Sequence, residues 1–263
     1  MCWRKIVSWF KPDPMVENKN KTALLFAINN YPHEANDLNG CINDQNDVAD
    51  KLEYLFPGEW SIVKFHDSEV TKSNFRNTIK NYIVSMSSGD TLLIHYSGHG
   101  TQVPSATESD GYNEAVYLYD AYLEDDDFNE VLQLIPDGAK VIIALDSCFS
   151  GTATRLLNPR YVKSRYYPIH EIKGLKRAKK YLKSDLMKWV VFSGCREDQT
   201  SADAFISGRY NGAFTYYWLR ALKKGITYQQ WADDTIYGIH LGGFEQVPTI
   251  EGDSNLINQI IFT

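Results

Sequence analysis

Five consecutive apolar residues, Val141-Ile142-Ile143-Ala144-Leu145, end abruptly at Asp146-Ser147-Cys148. A continuous apolar run this short reads as a strand buried on both faces, which is the environment of a parallel sheet packed between helices. A second run, Thr91-Leu92-Leu93-Ile94-His95-Tyr96, leads into Ser97-Gly98-His99-Gly100. In open α/β sheets the ligand crevice lies beyond the carboxyl ends of the strands. Both runs therefore place polar, chemically capable residues where such a crevice would be.

The rest of the chain agrees with that architecture. Thr22 to Asn29 predicts a first buried strand and Trp60 to Phe65 a second. Cys41 to Phe56 and Thr71 to Ser85 predict helices, the second opened by Thr71 as an N-cap with Phe75, Ile79, Tyr82 and Ile83 on one face. A short strand is expected from Ala115 to Tyr119, a helix near Asp126 to Leu134, a strand from Lys188 to Ser193, and helices over Ala213 to Lys223 and Tyr228 to Tyr237. Alternating strands and helices imply an α/β fold, a mostly parallel central β-sheet with helices on both faces.

Two segments stand apart. Residues 1–20 carry Trp3, Ile6, Val7 and Phe10 at helical spacing beside Arg4, Lys5 and Lys11, a basic amphipathic segment that could dock on the body, cover a site as a propeptide would, or lie on a membrane surface. Residues 21–263 are expected to form one domain. Within it, residues 155–184 are a long basic loop: from Arg155 to Lys183 there are 10 Lys/Arg and one acid, Glu171, in a chain of net charge −6. A connection this long inside a compact domain is usually functional or mobile. The loop lacks the regular aromatic or groove-reading partners of a nucleic-acid surface, so no nucleic acid is expected as a partner. No apolar run approaches the length needed to span a bilayer. The four widely spaced cysteines, Cys2, Cys41, Cys148 and Cys195, have no CxxC pairing and read as free thiols, with the cytoplasm as the expected compartment.

A thiol and an imidazole at two strand ends are the parts of a Cys–His dyad, Cys148 attacking and His99 taking its proton. Residues two apart in a strand share a face, so Asp146 falls with Cys148 and Ser97 with His99. Gly100 and Cys148 can offer backbone N–H groups as an oxyanion hole. Either residue alone reads more simply as a packed core cysteine or an ordinary His-Gly turn.

Taken together, Tyr96-Ser97-Gly98-His99-Gly100 and Asp146-Ser147-Cys148-Phe149-Ser150-Gly151 resemble the catalytic motifs of caspase-like cysteine peptidases, specifically metacaspases. In caspases the histidine lies about 50 residues upstream of the cysteine; here the separation is 49. Leu38 to Asp44, Ser193 to Ala202 and Gln246 to Gly252 resemble further segments of that family, so the likeness covers nearly the whole chain. It implies the caspase-like fold and a peptidase cutting after Arg or Lys, with Cys41, Asp44, Ser97 and Asp146 forming an acidic primary pocket. It implies protein or peptide substrates, a monomer, and no required cofactor. Many metacaspases bind calcium through four aspartates; Asp125 and Asp126 match two, while Asn113 and Arg155 occupy the others, so weak or absent calcium dependence is expected. Phe149 replaces a common His. The basic loop becomes a candidate for self-processing, at Arg155, Arg160, Lys163, Arg165, Lys173, Lys176, Arg177, Lys179, Lys180 or Lys183. The alternatives are a caspase-fold scaffold without activity, and a thiol hydrolase acting on a non-peptide substrate.

Overall fold

The computed structural model describes residues 20–104, 112–148, 162–167, 188–196 and 199–263. Six strands form the central sheet: β1 (Lys21–Ala27), β2 (Trp60–His66), β3 (Thr91–Ser97), β7 (Lys140–Asp146), β9 (Trp189–Ser193) and β12 (Thr249–Gly252), in the order β12-β9-β7-β3-β1-β2. All neighbours run parallel except β12, which pairs antiparallel with β9 at the edge.

The period of two in these strands sorts the core into two layers. Leu24 and Phe26, Leu92 and Ile94, and Val141 and Ile143 face one side, with Phe75, Ile79 and Ile83 of helix α2 (Lys72–Ser85) and Val131 and Leu132 of α3 (Asp125–Leu132). Ala23 and Leu25, Leu93, and Ile142 and Ala144 face the other. There they meet Val48 and Leu52 of α1 (Cys41–Leu55), Trp218 of α4 (Ala213–Ala221) and Trp231 of α5 (Tyr228–Leu241). The uninterrupted apolar strands thus reflect burial on both faces. Thr71 caps α2, its hydroxyl accepting from the Asn74 N–H at 3.2 Å. A short α6 (Ser254–Ile257) closes the chain after Asp253, whose carboxylate accepts from the N–H groups of Asn255 and Leu256.

Two small antiparallel sheets flank the carboxyl ends of the central strands. One is β4 (His99–Pro104), β5 (Tyr112–Tyr117) and β6 (Tyr122–Glu124), in the order β4-β5-β6. The other is β8 (Val162–Ser164), β10 (Ala202–Ile206) and β11 (Arg209–Gly212), in the order β11-β10-β8. The strand expected over Ala115 to Tyr119 therefore belongs to a side sheet. Its backbone pairs antiparallel with β4, the preceding strand in the chain, a partner that needs no crossover helix. Among the described residues, no helix is long and apolar enough to cross a membrane.

Candidate active site

The site grows from the last positions of β3 and β7. Ser97 and Asp146 are register partners across these two strands, so their side chains start side by side. Asp44 comes from the first turn of α1, which begins after Gly40 below the end of β1. Asp203 lies on β10, and its carboxylate accepts from the N–H groups of Asn39 and Gly40, both at 2.9 Å. All three aspartates are fully buried.

Arg165, the residue following β8, occupies the space among them with no exposed surface. Its guanidinium reaches Asp44 at 2.8 Å, Asp146 at 3.1 Å and Asp203 at 3.1 Å, and donates to the Ser97 hydroxyl at 2.8 Å. Burial works against its charge, but Asp146, Cys41, Asp44 and Asp203 outweigh that and hold its pKa well above the ordinary value. A buried ion pair pays back its desolvation only when the remaining lone pairs are satisfied. Here they are. Asp146 accepts from Ser201 and from the Thr215 hydroxyl, both at 2.7 Å, and from the Thr215 N–H at 2.9 Å. Asp44 accepts from Ser97 at 2.8 Å, Asn211 at 3.1 Å and the Gly212 N–H at 2.9 Å. Burial pushes the Asp44 carboxyl up to about 7, opposed by Arg165 and assisted by Asp146. Gly212 is required at this wall, because a Cβ there would lie 2.0 Å from Asp146 Oδ2 and 2.5 Å from the guanidinium.

The main chain of Arg165 is held as closely as its side chain. Its carbonyl oxygen accepts from the Gly100 N–H at 2.8 Å and the Cys148 N–H at 3.2 Å, and its own N–H donates to the Ser201 carbonyl at 3.2 Å. These are the two N–H groups expected to form an oxyanion hole. Gly100 fits where no other residue would, since its Cβ would lie 2.2 Å from the Cys148 carbonyl oxygen.

Cys148 and His99 flank this carbonyl without bonding to each other. The Cys148 thiol is fully buried and lies against Ser201, donating to its carbonyl at 3.0 Å and facing its N–H at 2.6 Å. Burial, reinforced by the neighbouring Cys195, pushes the Cys148 thiol well above its ordinary pKa, so it is held as the neutral thiol. His99 opens β4. Its Nε2 is 2.7 Å from the Asn36 carbonyl, which can only accept, so Nε2 carries the proton and Nδ1 is left as a bare base. Nδ1 is buried and has no hydrogen-bond partner. The ring packs on Tyr31 at 4.8 Å, and the Tyr31 hydroxyl accepts from the His99 N–H. Burial lowers the His99 pKa to about 4, against the Asn36 and Arg165 carbonyls that raise it.

The residues expected from sequence thus converge: Cys41, Asp44, Ser97 and Asp146 around one guanidinium, and Gly100 and Cys148 on one carbonyl oxygen. Cys41 is buried at the start of α1, where burial raises its thiol pKa and Arg165 opposes the rise. Sequence reasoning missed Asp203, Ser201, Asn36 and Tyr31. Asp203 directly follows the Ser193 to Ala202 segment, and an acid one residue past that motif was the available signal. Of the self-processing candidates, Lys163 and Arg165 are described; Arg155, Arg160, Lys173, Lys176, Arg177, Lys179, Lys180 and Lys183 lie outside the described residues, as does Phe149. Of the calcium positions, Asn113 is buried on β5, and Arg155 and the side chains of Asp125 and Asp126 are outside the description. Among the described residues no cluster of three or more His, Cys, Asp or Glu side chains is arranged to hold a metal.

The caspase domain family (Peptidase C14) matches residues 20–256. Metacaspase-1 of Cryptococcus neoformans is 27% identical over 92% of this chain and 64% of its own length. Metacaspase-7 of Arabidopsis thaliana is 36% identical over 50% of this chain and 35% of its own length. The chain therefore spans between about a third and two thirds of these two curated relatives. Among solved structures, protein GSU0716 of Geobacter sulfurreducens superposes with a TM-score of 0.70 at 23% identity, covering 92% of this chain and 98% of that one. Caspase-1 of Spodoptera frugiperda gives 0.62 at 12% identity, covering 92% and 89%. These likenesses show the caspase-like fold.

Proposed function

Because the chain belongs to the caspase domain peptidase family, we propose that it is a cysteine endopeptidase that cuts after Arg or Lys and is held latent by its own Arg165 segment. One observation carries the reading: a guanidinium bound by three buried carboxylates belongs to the same residue whose carbonyl rests on the Gly100 and Cys148 N–H groups. This is the posture of a substrate residue before the cut bond, which makes Arg165–Tyr166 the first bond the enzyme meets.

The chemistry follows from the groups present. The Cys148 thiol turns from Ser201 and gives its proton to His99 Nδ1, and the thiolate adds to the substrate carbonyl carbon. The oxygen takes the negative charge while the Gly100 and Cys148 N–H groups hold it. The C–N bond then breaks, and the imidazolium returns its proton to the departing amine. Water adds to the thioester with His99 again as base, releasing the new carboxylate and the thiol. In the occluded state the thiol is neutral and His99 is uncharged, so both partners start in the forms this sequence needs. Three carboxylates favour a guanidinium or ammonium and repel an aspartate side chain. We further propose weak or absent calcium dependence, since an amide and an arginine replace two of the four aspartates.

Matched fluorogenic peptides ending in Arg, Lys or Asp test this, with wild type and Cys148→Ala, with and without calcium. Turnover after Arg or Lys that is absent in Cys148→Ala is expected. Turnover after Asp would refute the pocket, and many-fold stimulation by sub-millimolar calcium would refute the calcium reading.

A further inference from the structure

The chain beyond Arg165 is held by contacts that the Cys–His chemistry does not use. The Tyr167 N–H donates to the Gly100 carbonyl at 2.8 Å, and the Thr101 hydroxyl donates to the Tyr167 carbonyl at 2.7 Å. The Tyr167 ring stacks on Tyr117 with centroids 3.8 Å apart and planes 8° from parallel. Tyr117 is the register partner of His99 across β4 and β5, so this ring stands directly beside the catalytic histidine. Its position is fixed from behind. The Tyr117 carbonyl accepts from the Tyr96 hydroxyl at 2.7 Å and the Tyr31 hydroxyl at 3.3 Å, and its ring stacks on Tyr31 at 5.9 Å.

We propose that Tyr117, with Thr101 and the Gly100 carbonyl, forms a binding subsite for an aromatic side chain two residues beyond the cut bond. The inference rests on the peptidase reading above and names its substrate class: peptides with Arg, one further residue, then Tyr, Phe or Trp. The backbone bonds from Gly100 and Thr101 set the register for any sequence, and the flat Tyr117 ring selects the side chain. Two hydroxyl donors fix the Tyr117 main chain and the Tyr31 ring backs its side chain, so a stack there orders mainly the incoming residue, which keeps the entropic cost of binding low. An aliphatic or small side chain fits the register but forfeits the stack.

Two internally quenched peptides test it, Val-Lys-Ser-Arg-Tyr-Tyr and Val-Lys-Ser-Arg-Tyr-Ala, with cleavage after Arg verified by mass spectrometry. Wild-type enzyme is expected to show a kcat/KM about fivefold higher for the first, the size of an aromatic pair's contribution. Tyr117→Leu is expected to erase that preference and Tyr117→Phe to keep it. If Tyr117→Leu does not fold, the wild-type and Tyr117→Phe comparison still decides. Equal kcat/KM for both peptides, each cut after Arg, overturns the subsite and leaves the peptidase reading standing. Cleavage of neither peptide by wild type or by Arg165→Ala, whose pocket no longer holds its own guanidinium, overturns the peptidase reading and the subsite with it.

Discussion

The two small sheets that flank the site hold the same peptide in different ways. On the side before Arg165, β8 adds to β10 as a strand, with Ser164 opposite Ala202, Lys163 opposite Asp203 and Val162 opposite Ala204. The side chains of Lys163 and Ser164 are exposed, and Val162 alone reaches a small apolar cluster with Ala202, Ala204 and Ala213. On the side after Arg165, one backbone bond, one bond from the Thr101 hydroxyl and one aromatic stack replace the ladder. Strand addition gives affinity and register for nearly any sequence, whereas side-chain pockets discriminate. On the proposed reading, selectivity concentrates at the Arg165 position and at the Tyr117 ring, and the positions between contribute mainly reach.

The strongest way to break this comparison is at the residue both sides share. Gly100→Ala places a Cβ against the Cys148 carbonyl and displaces an oxyanion donor and the Tyr167 acceptor together. A fall in kcat/KM of about 10²-fold or more is expected from peptide assays.

Acid should loosen the fold from the side of His99. His95 and His99 both have pKa values lowered to about 4 by burial. Between the ordinary value near 6.5 and about 4 the unfolded chain binds more protons, so stability falls as pH drops through that window. Each histidine contributes up to about 3 kcal/mol. Asp44, raised to about 7, works with the opposite sign over much of the same range. Thermal melts should show a net loss of about 3 kcal/mol from pH 6.5 to pH 4; an unchanged melting temperature would mean the histidines are not buried neutral.

Asp203→Ala sharpens the other side. Losing one of three carboxylates should raise KM for Arg peptides by about 10-fold or more while kcat changes less, as expected for a group that binds charge without touching the reacting bond. At the low end, replacing Ser by Ala or Gln in the peptide position that Ser164 occupies should change kcat/KM by less than about threefold, since its side chain is exposed.

Much of this was legible in the sequence because it is local. Apolar runs named β1, β3 and β7, turn residues named their ends, and Thr71 named the start of α2. Cys148, His99, Ser97 and Asp146 lay at or just past the ends of β3 and β7, and Cys41 and Asp44 on the first turn of α1. Less legible was what required pairing of polar segments far apart in the chain. Strand β8 carries one apolar residue among Lys163 and Ser164 and becomes a strand only because β10 offers it an edge. Asp203 and Arg165 are 38 residues apart, and no periodicity connects them. The basic loop was a candidate for self-processing with ten equivalent cations, and the fold sets one of them, Arg165, among three aspartates.

Intact mass with N-terminal sequencing of wild type, Cys148→Ala and Arg165→Ala asks whether Arg165 precedes the first cut. A new N-terminus at Tyr166 is expected in wild type and none in either variant. A Cys148-dependent cut elsewhere in residues 155–184 that persists in Arg165→Ala, or identical intact chains in all three, would contradict it.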